Sequence, residues 1–505
     1  MFKNYKSKKI IPYHNTEKFF KKLKKKKTIL CHGVFDIVHP GHIRHFAHCK
    51  QKADILIVSL TKDTFIKKGT YRPMVPQALR AFNLSSLELV DFVIIDNNKN
   101  PDKLIKKIKP NFFAKGLEYA DLKNPLTKKE KNIVESYGGK MIFSPGDYVL
   151  SSSKIIQQMK PDLKYEKLKL LMDTENINFL DIKKILKNLS TLSVHVLGDT
   201  IIDTNNYCEV IGGLHKTPTL SIAKESSENF LGGAGIVASH FRSFCKNVSL
   251  TTMLAKDSCG KFALRKLKKN KIQVKYFSED GRPTTNKSSY LVNNHKLLKI
   301  DELANLSIST STLDQILNIV EKDKKKILVY SDFRHGIFNN LTMPKFLEVA
   351  KTKKFKVADS QVASRWGNIS DFSNFDLITP TEREARYSLF EQDTPIRNLL
   401  GNISKKAKAK NVILKLGERG LISMSQKKSD YISLDPFVDN LIDSNGAGDT
   451  LLAYSSSTLY TTKSLIISSI IGLIAASCKC ETKGNVPVNI DQIINKFENI
   501  RKKYE

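Results

Sequence analysis

Two stretches of this sequence carry side chains whose types and spacing suit phosphate chemistry. In the first, Gly33-Val34-Phe35-Asp36-Ile37-Val38-His39-Pro40-Gly41-His42 follows a short apolar run, Thr28-Ile29-Leu30-Cys31, and leads into a helical pattern beginning near His42. Where a strand hands over to a helix, unpaired amides and the positive end of the helix dipole favour an anion. Two histidines one turn apart, His39 and His42, can place donors on the same phosphates. In the second stretch, Asp443-Ser444-Asn445-Gly446-Ala447-Gly448-Asp449-Thr450, small residues let the amides at a helix start approach a transferring phosphoryl group. Asp449 is placed to accept the proton of an attacking hydroxyl.

The elements needed to hold these residues alternate. Strands are expected at Thr28-Ile29-Leu30-Cys31, Ile55-Leu56-Ile57-Val58 and Phe92-Val93-Ile94-Ile95, and again from Leu192 to Leu197, at Ile327-Leu328-Val329-Tyr330, Phe355-Lys356-Val357-Ala358 and Val412-Ile413-Leu414, with helical patterns between them. Alternation of this kind predicts parallel sheets and an α/β fold in two domains. A chain of 505 residues is too long for one core. The expected division is a basic N-terminal extension over 1–27, a first domain over 28–160, a charged linker helix over 161–191 and a second domain over 192–500.

With 83 Lys+Arg against 50 Asp+Glu the chain carries +33, a surplus that favours nucleic acid, anionic lipid or phosphorylated substrates. Lysine is spread over the whole length, however, and the only dense run, Lys21, Lys22 and Lys24 to Lys27, has the form of a solvated helix face or leader. The charge is read as a lysine-rich background, with no specific nucleic-acid partner. Seven cysteines without paired or regular spacing argue against a disulfide framework and against a zinc module. No apolar leader segment is read at the start, and Leu465 to Ser477, the most apolar stretch, is too short to span a bilayer. A cytoplasmic protein without a membrane span is expected.

The ten residues from Gly33 to His42 resemble the HxGH signature of the nucleotidyltransferase superfamily of cytidylyltransferases and adenylyltransferases, in a Rossmann-like domain. Further agreement comes from Lys68-Gly69 before Arg72-Pro73, from Arg80, from Lys115-Gly116 with Tyr119, and from Ser151-Ser152-Ser153-Lys154. The resemblance implies attack by a phosphate or hydroxyl on the α-phosphate of a nucleoside triphosphate, ATP or CTP, with loss of pyrophosphate. It assigns His39 and His42 to catalysis and Gly33, Phe35, Lys68, Arg72, Lys115 and Ser152 to the nucleotide. Arg72 and Arg80 are weighed against solvated charges, and His45 and His48, outside the motif, against surface or core positions.

The second stretch is similar to the anion hole of ribokinase-type (PfkB) sugar kinases. Gly198-Asp199, Asp203, Leu231-Gly232-Gly233-Ala234-Gly235, Thr381-Glu382-Arg383-Glu384, Gly417 and Gly420 follow the family order. The resemblance implies Asp449 as base, Gly446, Ala447 and Gly448 on the γ-phosphate, Asp199, Asp203, Gly232 and Gly233 around the sugar, and Glu384 in the shell of Mg2+. Two positions depart from the family pattern: Ile236 stands where asparagine is frequent and Thr381 where asparagine is usual. Ile236 cannot bond a sugar hydroxyl, which leaves the sugar open.

Together the two domains resemble the bacterial bifunctional heptose kinase and nucleotidyltransferase family of lipopolysaccharide precursor synthesis, in reversed domain order. Ser331-Asp332-Phe333 and Arg282-Pro283-Thr284-Thr285 agree with that subgroup. The implied partners are sugar phosphates and nucleoside triphosphates, with a homodimer as the assembly to test. Two alternatives stay open: a cytidylyltransferase for another phosphorylated alcohol fused to a kinase, and a degenerate enzyme acting as a binding protein.

Overall fold

The computed structural model describes residues 7–23, 26–66, 73–121, 124–144, 163–213, 220–293, 295–304, 306–362 and 366–503. The chain forms two compact units, which part between Asp173 and Thr174.

The first unit is built on five parallel strands, β1 (Thr28–Gly33), β2 (Ile55–Thr61), β3 (Phe92–Asp96), β4 (Phe112–Gly116) and β5 (Lys140–Ser144), in the order β3-β2-β1-β4-β5. A near-continuous apolar run makes β2, and Ile29, Leu30 and Cys31 are buried in β1, because both faces of the sheet are covered. Cys31, Leu56, Val58, Phe46 and Leu84 pack on one face, and Leu30, Ile57, Phe113 and Val134 on the other. The chain lays strands outward to β3 and then returns to the far side of β1, so the strand order reverses between β1 and β4. In open α/β sheets the ligand crevice lies beyond the carboxyl ends of the strands at that reversal, and both Gly33 and Lys115-Gly116 stand there.

The expected basic extension is corrected. Ile11 donates its amide to the Val93 carbonyl at 2.9 Å, Ile10 bridges Val93, and Phe20 is buried with its ring 5.7 Å from that of Phe92. Residues 7–23 therefore cover the outer edge of β3, an edge that would otherwise present unpaired backbone groups. Helix Thr16–Lys21 is amphipathic, and its lysines are only its outer face.

The second unit contains a nine-stranded sheet of β6 (Ser193–Gly198), β9 (Asn247–Met253), β10 (Gln273–Phe277), β13 (Ile327–Asp332), β14 (Lys356–Ser360), β15 (Leu377–Ile378), β16 (Asn411–Lys415), β17 (Leu421–Ser425) and β18 (Lys428–Leu434), in the order β10-β9-β6-β13-β14-β15-β16-β17-β18. It is parallel as far as β16 and closes with two antiparallel strands. A separate four-stranded sheet pairs β7 (Thr200–Gly213), β8 (Leu220–Gly232), β11 (Asn286–Val292) and β12 (His295–Glu302) in the order β12-β11-β7-β8. The apolar stretch expected to be too short for a bilayer forms helix Leu465–Cys480, which is buried against helix Ala447–Thr462. Among the described residues no helix is long and apolar enough to cross a membrane.

The expected linker helix is two helices, Lys164–Thr174 and Phe179–Asn188. The second belongs to the core of the second unit: Ile182, Leu186 and Leu189 are buried, the Phe179 ring lies 6.1 Å from that of Phe497, and Lys183 pairs with Glu498. The Leu and Ile at helical spacing in this stretch form a core face. Leu186→Ala should lower the stability of the second unit by about 2–5 kcal/mol, the usual range for emptying a buried leucine site, in denaturant titrations of the full chain. A chain beginning at Thr174 should keep the native midpoint, whereas one beginning at Leu192 should lose it; equal midpoints would mean that this helix contributes no core.

Candidate functional site

In the first unit the chain leaves β1 through a tight loop and enters helix Pro40–Lys52. His39 caps that helix: its Nδ1 accepts from the Gly41 amide at 3.2 Å, and the His39 amide reaches His42 Nδ1 at 3.4 Å. Proline at the first helical position costs no hydrogen bond and presets its own φ. The two imidazoles stack with centroids 3.8 Å apart, and Phe35, in the left-handed region at φ 48°, turns its ring edge onto His42 at 5.1 Å. Burial lowers the pKa of both histidines, that of His42 to about 3 with help from the charges of His39 and His45, so both rings are neutral near pH 7.

Asp36 holds the loop by accepting the amides of Met74 at 3.0 Å and Val75 at 2.8 Å. Arg80, weighed as a solvated charge, is fully buried: it donates to the carbonyls of Val75, Thr61 and Val34 and pairs with Asp63. It ties β2 and the loop after β1 together as a structural cation. Lys115 stands at the end of β4 but is engaged by Glu130, by Thr127 Oγ1 at 3.2 Å and by the Tyr119 ring at 4.8 Å. Lys68, Arg72 and Ser152 lie outside the described residues.

In the second unit Gly446, at φ 78°, caps helix Ala447–Thr462, so that the amides of Ala447 and Gly448 and the carboxyl group of Asp449 share one helix end. A Cβ at position 446 would lie 2.0 Å from Asn485 Oδ1, which reserves the position for glycine. Beside Asp449 the structure places two residues that the sequence motifs did not single out. Lys415, the last residue of β16, puts Nζ 3.0 and 3.1 Å from the two carboxylate oxygens of Asp359 in β14. A Cβ on Gly448 would lie 3.3 Å from the same ammonium.

Glu384 also faces this cluster, while its Oε2 accepts the Thr381 amide at 2.7 Å in the capping box of helix Glu382–Leu389. Burial raises the Glu384 pKa. Burial, then the charge of Asp359, pushes Asp449 up to about 7 against the pull of Lys415, and the charge of Asp203 adds to the rise. The signal in the sequence was a single charged residue closing each apolar strand, Asp359 after Val357-Ala358 and Lys415 after Val412-Ile413-Leu414.

Asp203 on β7 stands opposite Lys287 on β11, and a Cβ on Gly232 would lie 2.5 Å from Asp203 Oδ2. Asp203 is near enough to Asp449 for its charge to raise the Asp449 pKa. The Asp199 carboxylate accepts the amides of His335 at 3.1 Å and Phe333 at 3.4 Å, and burial raises it to about 6. Gly233 is fixed at φ 56° against the Asp199 carbonyl. Ile236 is buried in helix Gly233–Arg242.

Residues 191–491 match the model of the pfkB family of carbohydrate kinases, and residues 30–189 match the cytidylyltransferase-like model. The first match spans more than half of the chain, which therefore belongs to the pfkB carbohydrate kinase family, with a cytidylyltransferase-like domain ahead of the kinase domain. Among curated proteins the chain is similar to the "Bifunctional protein HldE" of Geobacter metallireducens, 34% identical over 122 residues, covering 24% of this chain and 24% of the relative. It is also similar to that of Helicobacter pylori, 42% identical over 105 residues, covering 20% and 23%. The chain thus spans about a quarter of the length of these relatives.

The solved structures that resemble it include phosphofructokinase-2 of Escherichia coli, with a TM-score of 0.51 at 15% identity over 62% of this chain and 100% of that one. A ribokinase of Arabidopsis thaliana solved with ribose and ATP matches with a TM-score of 0.50 at 18% identity, over 61% and 99%. These two likenesses concern the fold.

A carboxyl group whose folded pKa lies above its unfolded value of about 3.9 makes the folded state bind the extra proton. Its contribution to stability is present at low pH and is lost as pH rises toward about 7. Asp449→Asn removes that loss. The variant should be more stable than the parent above pH 7, with the difference shrinking as pH falls below 6; a constant difference across that window in thermal unfolding would mean that Asp449 is ionised throughout.

Proposed function

We propose that the chain is a bifunctional enzyme, a sugar-phosphate kinase and a sugar 1-phosphate nucleotidyltransferase, that makes a nucleotide-activated, heptose-like sugar for cell-surface polysaccharide synthesis. The observation that carries this reading is the Asp449 carboxyl group at a helix N-terminus, buried beside Lys415 and held near neutral proton affinity. A general base works best when its pKa lies near the working pH. Asp449 takes the proton of the attacking hydroxyl, the amides of Ala447 and Gly448 face the transferring phosphoryl group, and Lys415 offsets charge that grows there.

Asp203, Gly232 and Gly233 bound the sugar side, and Asp199 shapes it through the loop from Phe333 to His335. The buried oxygens of Asp359, Glu384 and Asp449 outnumber the single ammonium among them, a donor set that fits a hard cation. Glu384 and Asp359 would hold Mg2+, which when bound neutralises the phosphates of ATP.

In the first domain, neutral His39 and His42 and the amides after Gly33 and Phe35 hold the phosphates of ATP or CTP while a sugar 1-phosphate attacks and pyrophosphate leaves. Lys68, Arg72, Lys115 and Ser152 complete the proposed nucleotide site, Lys115 by exchanging Glu130 for a phosphate. All seven cysteines are free, in keeping with a cytoplasmic setting. The four-stranded sheet bears exposed Val210, Ile211, Leu220, Leu297, Leu298 and Ile300, an apolar surface that supports a homodimer through this sheet.

Asp449→Asn should lower sugar-phosphate phosphorylation by about 10²–10⁴ and leave nucleotidyl transfer to a supplied sugar 1-phosphate intact. His42→Ala should do the reverse, abolishing pyrophosphate release and sparing phosphorylation. Parallel assays of the two variants with a panel of sugar phosphates, ATP and CTP decide the matter. Phosphorylation at the parent rate in Asp449→Asn, or joint loss in either variant, contradicts the assignment.

A further inference from the structure

The helix that carries His42 brings a second group of side chains to β1 that nucleotide chemistry does not use. Cys31 lies on β1, and His45 and Cys49 lie one turn apart on helix Pro40–Lys52. Cys31 Sγ is 3.5 Å from Cys49 Sγ, Cys49 Sγ is 3.9 Å from His45 Nε2, and all three ligand atoms lie within 4.8 Å of one another. Two ligands on a tetrahedral zinc ion are separated by about 3.5–3.8 Å, given Zn–S near 2.3 Å and Zn–N near 2.0–2.1 Å. The two measured separations are the edges of such a tetrahedron to within a few tenths of an ångström.

The outer contacts favour the same reading. Ser144 Oγ, at the end of β5, lies 2.7 Å from His45 Nδ1. With the Nδ1 proton donated to that hydroxyl, the Nε2 lone pair is turned toward the sulfurs, the arrangement that orients metal-bound histidines. Both cysteines are fully buried while His45 is half-buried, so the cluster has sulfur inside and one edge nearer solvent. Among the described residues no other group of histidine, cysteine or carboxylate ligands is assembled this tightly.

We propose that Cys31, His45 and Cys49 form a binding site for a soft divalent ion of the zinc class, coordinated by the two sulfurs and His45 Nε2. The two thiols give up their protons to solvent on binding, and nothing is oxidised or reduced. Three protein ligands leave the fourth position to an oxygen ligand. The ion would pin helix Pro40–Lys52 to β1 one turn beyond His42, and so position the phosphate-binding turn without touching the nucleotide.

The full-length protein, purified under thiol-reducing conditions and stripped by a chelator, is titrated with Co2+. The expected result is about one ion per chain with thiolate-to-cobalt charge-transfer bands and the strong d–d bands of tetrahedral cobalt, all displaced by Zn2+. Cys49→Ser and Cys31→Ser should each lose charge-transfer intensity, and Ser144→Ala should keep the bands but bind about 10–100-fold more weakly. Should a cysteine variant fail to fold, His45→Gln at its half-buried position must shift the d–d bands. Absence of thiolate bands in the parent, bands unchanged in His45→Gln and both cysteine variants, or a Cys31–Cys49 disulfide as the resting state under the same reducing conditions, overturns the proposal.

Discussion

One ammonium among three buried carboxyl groups is the constraint on which the second unit turns. Lys415, Asp359, Glu384 and Asp449 are brought together from four separate elements, and none of the four could be buried alone without a large desolvation cost. Lys415 binds both oxygens of Asp359 and also draws down Asp449, while burial first, and then the surplus carboxyl charge, pushes Asp449 up toward neutral proton affinity. Burial and this imbalance together give Asp449 the proton affinity that the proposed base would need. The imbalance also defines where a divalent cation and a polyphosphate would be welcome, because each would cancel charge that the protein leaves unpaired.

The first unit meets a related demand by different means. The loop between β1 and helix Pro40–Lys52 carries no net cation of its own among the described residues, since burial keeps His39 and His42 neutral and Arg80 is spent on backbone carbonyls. In the proposed function, attraction for phosphate there would rest on amides, the helix terminus and neutral imidazole donors. Asp36 and Arg80 act as the fasteners: one gathers amides at 74 and 75, the other gathers carbonyls at 34, 61 and 75. A loop held from both sides in this way is fixed before any ligand arrives, which is what electrostatic preorganisation at a phosphate site would require.

What could be read from the sequence was what lies contiguous in it. The HxGH and Gly-Ala-Gly-Asp runs each place several functional groups within one turn, so residue order alone reveals them, and the alternation of apolar runs with helical patterns announced parallel sheets. Asp359 and Lys415 escaped because their partnership is created by the lateral order of β14, β15 and β16, across 56 positions of sequence. Arg80 was weighed as a solvated charge because its acceptors are backbone carbonyls, which no side-chain pattern advertises. The stretches 1–27 and 161–191 looked like connectors because their lysines and other charges drew the reading away from the apolar residues, among them Ile11, Phe20, Ile182 and Leu186, that are buried in their cores. Cys31 and Cys49, 18 positions apart, showed no metal-binding spacing, yet the strand-to-helix return sets their sulfurs side by side.

That Lys415 holds down the proton affinity that burial raises in the proposed base is tested most directly by the pH dependence of kcat/KM for sugar-phosphate phosphorylation in the parent and in Lys415→Met. The account predicts an acid limb near pH 7 in the parent, matching the raised Asp449 carboxyl group. In the variant that limb should move to higher pH, because loss of the ammonium removes the charge that favours ionised Asp449. A limb that stays where it was, or one that moves to lower pH, would contradict the account.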